Sequence, residues 1–273
     1  MELIVFDLDG TLLNKSSQIS DFTRDTLRRL ADRGIAYTVA TGRAQHGAIA
    51  LLEGHGFALP HIYKNGVMIW DPDQSLYSTS HVLTLDEIGH VAEALAEKDI
   101  TPFYFTLEPG NRHACYHPPI KQEVEYKLVK SFEKERELPV LPVSELPGNA
   151  EITNISAIGP DRKIGAVAEM IVDEEQLIAY MGTAIEDRRL SWIDVHHHAG
   201  SKGSAIATLK RQLGVTRVIC FGDSDNDLSM FELADEAYAP LNARDHIKKA
   251  ATAVIGHHDA DGIAHFLRER FEL

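Results

Sequence analysis

The sequence predicts an α/β fold, with a doubly wound parallel-sheet core and an inserted α+β domain. Short apolar runs at Leu3–Phe6, 35–40 and 218–221 each end in polar residues, as strands of a buried parallel sheet do. Helical patterns alternate with these runs, which is typical of α/β proteins. Between about residues 82 and 195 the simple alternation stops, so this stretch is expected to form the insert.

The first apolar run ends in the motif Asp7-Leu8-Asp9-Gly10-Thr11, which places two carboxylates one residue apart. Charges at the end of a buried strand are costly unless something uses them. Because ligands bind at the carboxyl ends of strands in open parallel sheets, Asp7 and Asp9 mark the expected centre of a site. The alternative is a strand that runs into an ordinary polar turn.

The next unit repeats this strand-to-loop layout. Ser20 is placed to cap a helix over residues 21–33, and a strand follows at 35–40. This strand ends in Thr41-Gly42-Arg43, and a helix is expected to start near Ala44. A hydroxyl and two backbone N–H groups beside a helix N-terminus can hold one phosphate group. An ordinary turn remains the alternative, because the tripeptide is short.

The middle of the chain combines hairpins, helices and further strands. A third strand at 61–64 is followed by Asn65-Gly66. The patterns then predict hairpins within 67–78 and 103–117, a capped helix at 84–98, a charged helix at 120–137, an irregular proline-rich stretch at 139–149, a strand at 152–158, helices within 162–186 and a strand at 190–195. The run His196-His197-His198 is interpreted as a polar linker, with a transition-metal site as the alternative.

The alternation returns after the histidine run. Ser201-Lys202-Gly203 opens a helix to about Leu213, and the strand at 218–221 ends in Gly222-Asp223-Ser224-Asp225-Asn226-Asp227. Elements at 242–251, 254–255 and 261–271 complete the tail. The motif after residue 221 carries three acids and an amide within five positions, at the end of a buried strand.

Composition limits the possible partners. The 273 residues carry a net charge of −14, which disfavours nucleic-acid and anionic-membrane surfaces. A phosphate site must therefore be made locally positive. Cys115 and Cys220 lie far apart without metal-ligand spacing, which fits a reduced, cytoplasmic chain. No signal peptide or membrane-spanning run is recognised.

Combining the strand ends suggests phosphoryl chemistry. Asp7 and Asp223 end two strands of one predicted sheet, so their carboxylates are expected to meet. Two carboxylates, a backbone carbonyl and waters suit Mg2+. A carboxylate nucleophile can form an aspartyl-phosphate, while Asp9 protonates the leaving oxygen and then activates water. Lys202 would offset charge on the transferring phosphoryl group.

These motifs resemble the haloacid dehalogenase-like superfamily, and within it the Cof-type phosphatases. The matching motifs are Asp7-Leu8-Asp9-Gly10-Thr11, Ala40-Thr41-Gly42-Arg43, Lys202-Gly203 and Gly222-Asp223-Ser224-Asp225-Asn226-Asp227, with Asn65-Gly66 and Leu241-Asn242-Ala243 as further likenesses. The resemblance implies a Rossmann-like catalytic core from residues 1–81 and 196–273. It also implies an inserted cap of the C2B kind at 82–195, which would set substrate specificity.

The resemblance also implies a role for each motif residue. Asp7 would be the nucleophile and a Mg2+ ligand, Asp9 the general acid/base that binds the metal through its carbonyl, and Asp223 the third ligand. The residues implied to hold the phosphoryl group are Thr41, Gly42, Lys202 and Asn226. Asp227 would position Lys202 or a metal-bound water, whereas Asp225 is expected to be an exposed acid.

The expected function is Mg2+-dependent hydrolysis of small phosphorylated metabolites, often sugar phosphates, by a monomer or small homo-oligomer. Two alternatives stay open. A phosphomannomutase-like isomerase would need a basic phosphate clamp on the cap, and no tight arginine cluster there resembles one. A non-catalytic protein that binds a phosphorylated metabolite would not need the intact set Asp7, Asp9, Lys202 and Asp223.

Overall fold

The computed structural model describes residues 2–79, 81–135, 138–184 and 187–273. The end of the predicted helix 120–137 (residues 136–137) and residues 185–186 of the predicted helical stretch 162–186 lie outside the described residues. The chain divides into two compact units, one from residues 1–80 and 201–273 and the other from residues 81–200.

The secondary structure alternates in the first unit and is mixed in the second. The strands are β1 (Glu2–Phe6), β2 (Ala36–Val39), β3 (His61–Tyr63), β4 (Met68–Asp71), β5 (Leu76–Thr79), β6 (Phe103–Glu108), β7 (Arg112–His117), β8 (Val140–Pro142), β9 (Ile152–Pro160), β10 (Leu177–Thr183), β11 (Leu190–His197), β12 (Arg217–Phe221), β13 (Glu236–Pro240) and β14 (Ala253–Ile255). The helices are α1 (Asp21–Asp32), α2 (Ile49–Leu52), α3 (Leu85–Glu97), α4 (Glu123–Glu135), α5 (Asp161–Ile171), α6 (Lys202–Gln212), α7 (Leu228–Leu233), α8 (Asp245–Ala250) and α9 (Gly262–Phe271).

The first unit is built on a parallel sheet with the strand order β14-β13-β12-β1-β2. Alternate residues of β1 face opposite sides of this sheet. Leu3 and Val5 pack in one core with residues of α6, α7 and α8. On the other side, Phe6 stacks on Phe221, which contacts Phe266 of α9. Helices therefore cover both faces, and the predicted doubly wound α/β class is confirmed.

A small sheet of β3, β4 and β5 flanks the parallel sheet, and a single parallel bridge from Ala40 to Ile62 leads into it. The hairpin predicted within 67–78 is confirmed as β4 and β5. A helix starts near Ala44 as predicted, but it is a 3-10 helix at Gln45–Gly47, and α2, which follows it, has only four residues. Gly47 disfavours a helix, and its carbonyl accepts a hydrogen bond from the Arg43 side chain.

The second unit is built on a mixed sheet with the order β10-β11-β9-β6-β7-β8. Helices α3 and α5 pack on one face, and α4 covers the β6–β7–β8 part of the other. The predicted capped helix is confirmed, since Thr84 and Glu87 form a capping box at the start of α3. The hairpin predicted within 103–117 is confirmed as β6 and β7. Among the described residues, no helix is long and apolar enough to cross a membrane.

Three predictions in this unit are wrong in part, each because long-range strand pairing decides the local structure. The irregular stretch 139–149 contains β8, which pairs in parallel with β7. The stretch expected to hold helices within 162–186 contains one helix, α5, and then β10, which pairs with β11. The expected linker is also wrong in part, because His196 and His197 are the last residues of β11, and His196 is buried.

Candidate active site

The centre of the site is the end of β1, where it lies beside β12. The two strands pair in parallel, with Phe6 opposite Phe221, and the Asp7 N–H donates to the Phe221 carbonyl at 2.9 Å. After Asp7 the chain turns through Gly10, whose φ is +77°. A Cβ on Gly10 would overlap the carboxylate of Asp223, so this turn needs glycine. The carboxylates of Asp7 and Asp223 therefore meet, as the strand ends predicted.

Lys202 is fully buried between two carboxylates. Its Nζ donates to an oxygen of Asp7 and to an oxygen of Asp227, each at 2.6 Å. It is the first residue of α6, whose N-terminus is capped by the hydroxyl of Ser201. Burial by itself lowers the pKa of Lys202, but the attraction of Asp227 and Asp7 outweighs it and raises the pKa. The lysine is therefore a permanent positive charge beside Asp7.

Three carboxylates crowd around this lysine. Oxygens of Asp7, Asp223 and Asp227 all lie within 4.8 Å of one another. Burial, opposed by the attraction of Lys202 and reinforced by the neighbouring acids, raises the pKa of Asp7 well above its usual value. Burial and the charge of Asp227 raise the pKa of Asp223 to about 6. In both acids burial is the larger cause of the raised pKa, and the repulsion among the three carboxylates adds to it.

Three clustered carboxylates beside one lysine leave an excess of negative charge, which a divalent cation could neutralise. Carboxylate oxygens are also the ligands that Mg2+ and Ca2+ prefer. Asp227 is the least available of the three acids. One of its oxygens accepts a hydrogen bond from Lys202. The other accepts hydrogen bonds from the backbone N–H groups of Asp223 at 2.8 Å and Ser224 at 2.9 Å. Asp7 and Asp223 are thus the side chains that would hold a cation, with Asp227 behind them.

Three of the four predicted phosphate-holding residues lie beside one buried residue, Asn65. Thr41 follows β2 and is buried, and its hydroxyl accepts from the Arg43 N–H at 3.1 Å. The Asn226 side-chain amide donates to Oδ1 of Asn65 at 2.8 Å. A Cβ on Gly42 would lie 3.0 Å from that same oxygen. The Asn65 N–H donates a hydrogen bond to the Thr41 carbonyl at 3.0 Å, so the loop of residues 41–42 and the distant Asn226 meet at Asn65.

Asp9 lies apart from the buried acids. Both of its carboxylate oxygens accept hydrogen bonds from the Arg43 guanidinium, from Nε at 2.7 Å and from Nη2 at 2.6 Å. The side chain of Asp9 is 53% exposed and that of Arg43 27%. The hydrogen bonds to Asp9 raise the pKa of Arg43. Asp225, expected to be an exposed acid, is paired at the surface with Arg244 and His246.

With this geometry established, similarity to known proteins decides the family. A family model described as haloacid dehalogenase-like hydrolase matches residues 4–267. The chain belongs to the haloacid dehalogenase-like hydrolases. The expected superfamily and the expected class of phosphoric monoester hydrolase are confirmed.

Members of this hydrolase family resemble the chain along its whole length. Phosphatase YwpJ of Bacillus subtilis is 30% identical, over 98% of this chain and 99% of the relative. The 5-amino-6-(5-phospho-D-ribitylamino)uracil phosphatase YwtE of the same organism is 29% identical, over 98% and 97%. A solved haloacid dehalogenase-like hydrolase from B. subtilis has a TM-score of 0.78 at 26% identity, over 98% of this chain and 99% of that one.

Several residues of this hydrolase site were not assigned a role from the sequence. The Thr11 hydroxyl donates a hydrogen bond to Asp223 at 3.0 Å. The position of Thr11 in the first motif could have indicated a role in the site. The Asn242 side chain donates to the Gly10 carbonyl at 2.7 Å, and Ser229 accepts from the Gly203 N–H at 3.2 Å. Arg43 was expected to act only through its backbone. These contacts join residues far apart in sequence, where spacing carries no signal.

Proposed function

We propose that this chain is a Mg2+-dependent phosphatase that hydrolyses small phosphorylated metabolites, with sugar and polyol phosphates as the preferred class. The observation that carries the proposal is the setting of Asp7. One of its oxygens accepts from the buried Lys202, and Asp223 lies across from it on the neighbouring strand. A carboxylate held in this way is oriented as a nucleophile toward a phosphate group.

In the first step, an Asp7 oxygen attacks phosphorus, an O–P bond forms, and the ester O–P bond breaks. Asp9 enters this step protonated, gives its proton to the departing alkoxide oxygen and becomes the carboxylate that pairs with Arg43. In the second step, Asp9 takes a proton from water, whose oxygen attacks phosphorus, and Asp7 is released with inorganic phosphate. Lys202, Thr41 and the backbone N–H of Gly42 stabilise the phosphoryl oxygens throughout.

The divalent cation belongs with Asp7 and Asp223. When bound, it would neutralise charge that repels the incoming phosphate and would favour the ionised form of both carboxylates. That is the form which burial and mutual repulsion disfavour. The backbone carbonyl of Asp9, which the resemblance implies as a ligand, is proposed as the third protein contact.

The position of Asp9 supports its role as the proton carrier. Its carboxylate is half exposed and is paired with Arg43, outside the group formed by Asp7, Asp223 and Asp227. A proton can therefore enter and leave Asp9 without changing the charge of that buried group. The acid/base and the nucleophile are separated although they are two residues apart in the sequence.

We also propose that the unit of residues 81–200 selects the ester while the other unit carries the chemistry. In support, Asp7, Asp9, Thr41, Lys202 and Asp223 all belong to the unit of residues 1–80 and 201–273. The substrate class is proposed from the relative named as a phosphatase of a phosphoribitylamino compound. The cytoplasmic location and the oligomeric state stay predictions.

The decisive experiment incubates the purified chain with a panel of sugar and polyol phosphates, Mg2+ and 18O-labelled water. We expect inorganic phosphate that carries one labelled oxygen, together with the free alcohol. Asp7→Asn serves as the inactive control. Isomerised sugar phosphate without phosphate release would favour a mutase, and binding without any conversion would favour a non-catalytic protein.

The division between the two units is tested with a chimera in which residues 81–200 are replaced by the matching segment of YwtE. We expect the preferred ester to follow the replaced segment, while the Mg2+ requirement stays unchanged. Asp7→Asn in the chimera is the control for activity from contaminants. A chimera that folds and keeps the original ester preference would contradict this part of the proposal.

A further inference from the structure

The turn at residues 64–66, directly after β3, has a backbone geometry that side chains rarely adopt. The φ angles of Lys64, Asn65 and Gly66 are +49°, +56° and +108°. Two consecutive non-glycine residues in the left-handed region are strained, and such strain persists only where the surrounding structure enforces it. Residues in this state are concentrated at functional sites.

The backbone of this turn holds the loop that carries Thr41. The Lys64 N–H donates to the Arg43 carbonyl at 3.0 Å, and the Asn65 N–H donates to the Thr41 carbonyl at 3.0 Å. These two bonds tie the turn to the loop from one side. The positions of the Thr41 hydroxyl and of the Gly42 N–H therefore depend on the left-handed turn.

The same turn also touches the other two segments of the phosphate site. The Asn65 side chain is 4% exposed, and its Oδ1 accepts from Asn226 at 2.8 Å. Gly66 packs against the start of α6, where an added Cβ would overlap the Ser201 carbonyl and lie 2.9 Å from the Lys202 nitrogen. One short turn is in contact with the Thr41 loop, with Asn226 and with the backbone of Lys202.

We propose that Asn65 is a positioning residue that sets the spacing of Thr41, Gly42 and Asn226 around the phosphoryl group. This inference rests on the proposed function, because it takes that group of residues as the phosphate site. The chemistry favours asparagine here, which tolerates the left-handed backbone better than most residues. Its oxygen accepts one of the two hydrogens on the Asn226 amide nitrogen, so the other hydrogen is left for a phosphoryl oxygen.

The test measures binding of inorganic phosphate by titration calorimetry at saturating Mg2+. Asn65→Gly suits a φ of +56° and removes only the side chain, so the turn is expected to keep its shape. We expect phosphate to bind about tenfold more weakly, because Asn226 and the Gly42 backbone lose their shared neighbour. The dissociation constant for Mg2+, measured separately, should change less than about twofold, since the hydrogen bonds given above join Asn65 to Thr41 and Asn226, whereas the cation site is formed by Asp7 and Asp223.

The matched control is Asn111→Gly, which makes the same change at a left-handed asparagine with a φ of +61°, in the turn between β6 and β7. It should leave both dissociation constants unchanged. Asn226→Ala, which leaves the turn intact, should weaken phosphate binding, and adding Asn65→Gly to it should cost less affinity than Asn65→Gly costs in the wild type. That partial non-additivity is expected because Asn65 acts in part through Asn226 and in part through the loop that carries Gly42.

Three results would overturn the inference: unchanged phosphate affinity in Asn65→Gly, equal weakening of phosphate and Mg2+ binding, or additive losses in the double variant. Equal weakening would indicate a general structural role. These outcomes are distinct from failure of the proposed function. A wild-type chain that binds phosphate but hydrolyses no ester would refute the phosphatase proposal, and the affinity comparison would still decide the role of Asn65.

Discussion

Asp7 and Asp9 lie two residues apart on one turn, yet each is paired with a basic side chain in a different environment. Asp7 is 7% exposed and pairs with the fully buried Lys202, whereas Asp9 is 53% exposed and pairs with Arg43 at the surface. A buried pair depends strongly on both partners, because removing one leaves an uncompensated charge. An exposed pair contributes little and can exchange its partner for another ion.

The difference matches what the two acids are proposed to do. The nucleophile forms a bond to phosphorus, so its oxygen needs a fixed position. The acid/base faces the leaving oxygen in one step and a water molecule in the next, so a half-exposed carboxylate with an exchangeable partner suits it. The turn thus supplies a fixed carboxylate and an adjustable carboxylate from residues only two positions apart. Four variants or treatments test this contrast.

The largest effect is expected for Asp7→Asn, on the fixed side. The amide is nearly isosteric but cannot attack phosphorus as a carboxylate does. Turnover should fall by roughly four or more orders of magnitude, as it does for nucleophile deletions elsewhere. The measurement is phosphate release under saturating substrate, with circular dichroism to verify the fold. Hydrolysis within about tenfold of the wild type would show that another group is the nucleophile.

Removal of the divalent cation should have the next largest effect. Without it, Asp7, Asp223 and the substrate phosphate repel one another, and burial together with this repulsion already raises the pKa of both acids. We expect a chelator to lower the rate by at least about a thousandfold and added Mg2+ to restore it. Full activity after exhaustive chelation would contradict the proposed metal site.

A third prediction concerns the buried pair itself. Lys202→Met leaves Asp7 and Asp227 without their cation, so the free energy of unfolding should fall by about 3–5 kcal/mol. Turnover should fall by about two to three orders of magnitude, because the charge beside the phosphoryl group is lost. Denaturant unfolding and steady-state kinetics measure the two effects.

The matched control for that variant is Lys15→Met, at an ion pair with Asp259 in which the lysine side chain is 78% exposed. Its effect on unfolding should stay within about 1 kcal/mol. Adding Asp227→Asn to Lys202→Met removes one orphaned carboxylate and should recover part of the lost stability. If Lys202→Met and Lys15→Met lower the free energy of unfolding equally, burial does not make the Lys202 pair more stabilising than an exposed pair.

The part of the site around the fixed carboxylate, Asp7, is also the part that was predicted best from the sequence. Asp7 and Asp223 end continuous apolar runs, and two parallel neighbouring strands bring such ends together whatever the loops do. The β1 and β12 strands were therefore recognisable from local pattern. By contrast, β10 was expected to be helical, because Leu177–Thr183 does not alternate cleanly and becomes a strand through its pairing with β11.

The contacts around the adjustable carboxylate, Asp9, were not predictable from the spacing of residues in the sequence. Arg43 lies 34 residues after Asp9, and only the chain's return beside β1 brings the guanidinium to both carboxylate oxygens. Asn65 was noticed as part of a short motif, but its contact with Asn226 spans 161 residues. Local patterns thus located the charged centre, while the side chains that position it depend on tertiary contacts.

The smallest effect is expected for Arg43→Gln, on the adjustable side. Because the pair with Asp9 is exposed, the free energy of unfolding should change by less than about 1 kcal/mol. Turnover of a sugar phosphate should fall only about tenfold, since Arg43 orients the proton carrier and does not itself transfer a proton. Arg43→Lys keeps the charge without the two-pronged contact and should lie between the wild type and Arg43→Gln.

The choice of substrate makes this last prediction specific. An alkyl phosphate needs a proton on its leaving oxygen, whereas p-nitrophenyl phosphate releases an anion that is stable without one. If Arg43 acts through Asp9, Arg43→Gln should slow the alkyl ester more than the nitrophenyl ester, and Asp9→Asn should show the same bias with a larger loss. Equal slowing of both esters would mean that Arg43 serves phosphate binding instead. If Arg43→Gln lost as much turnover as Asp7→Asn, the proposed difference between the fixed Asp7 and the adjustable Asp9 would be wrong.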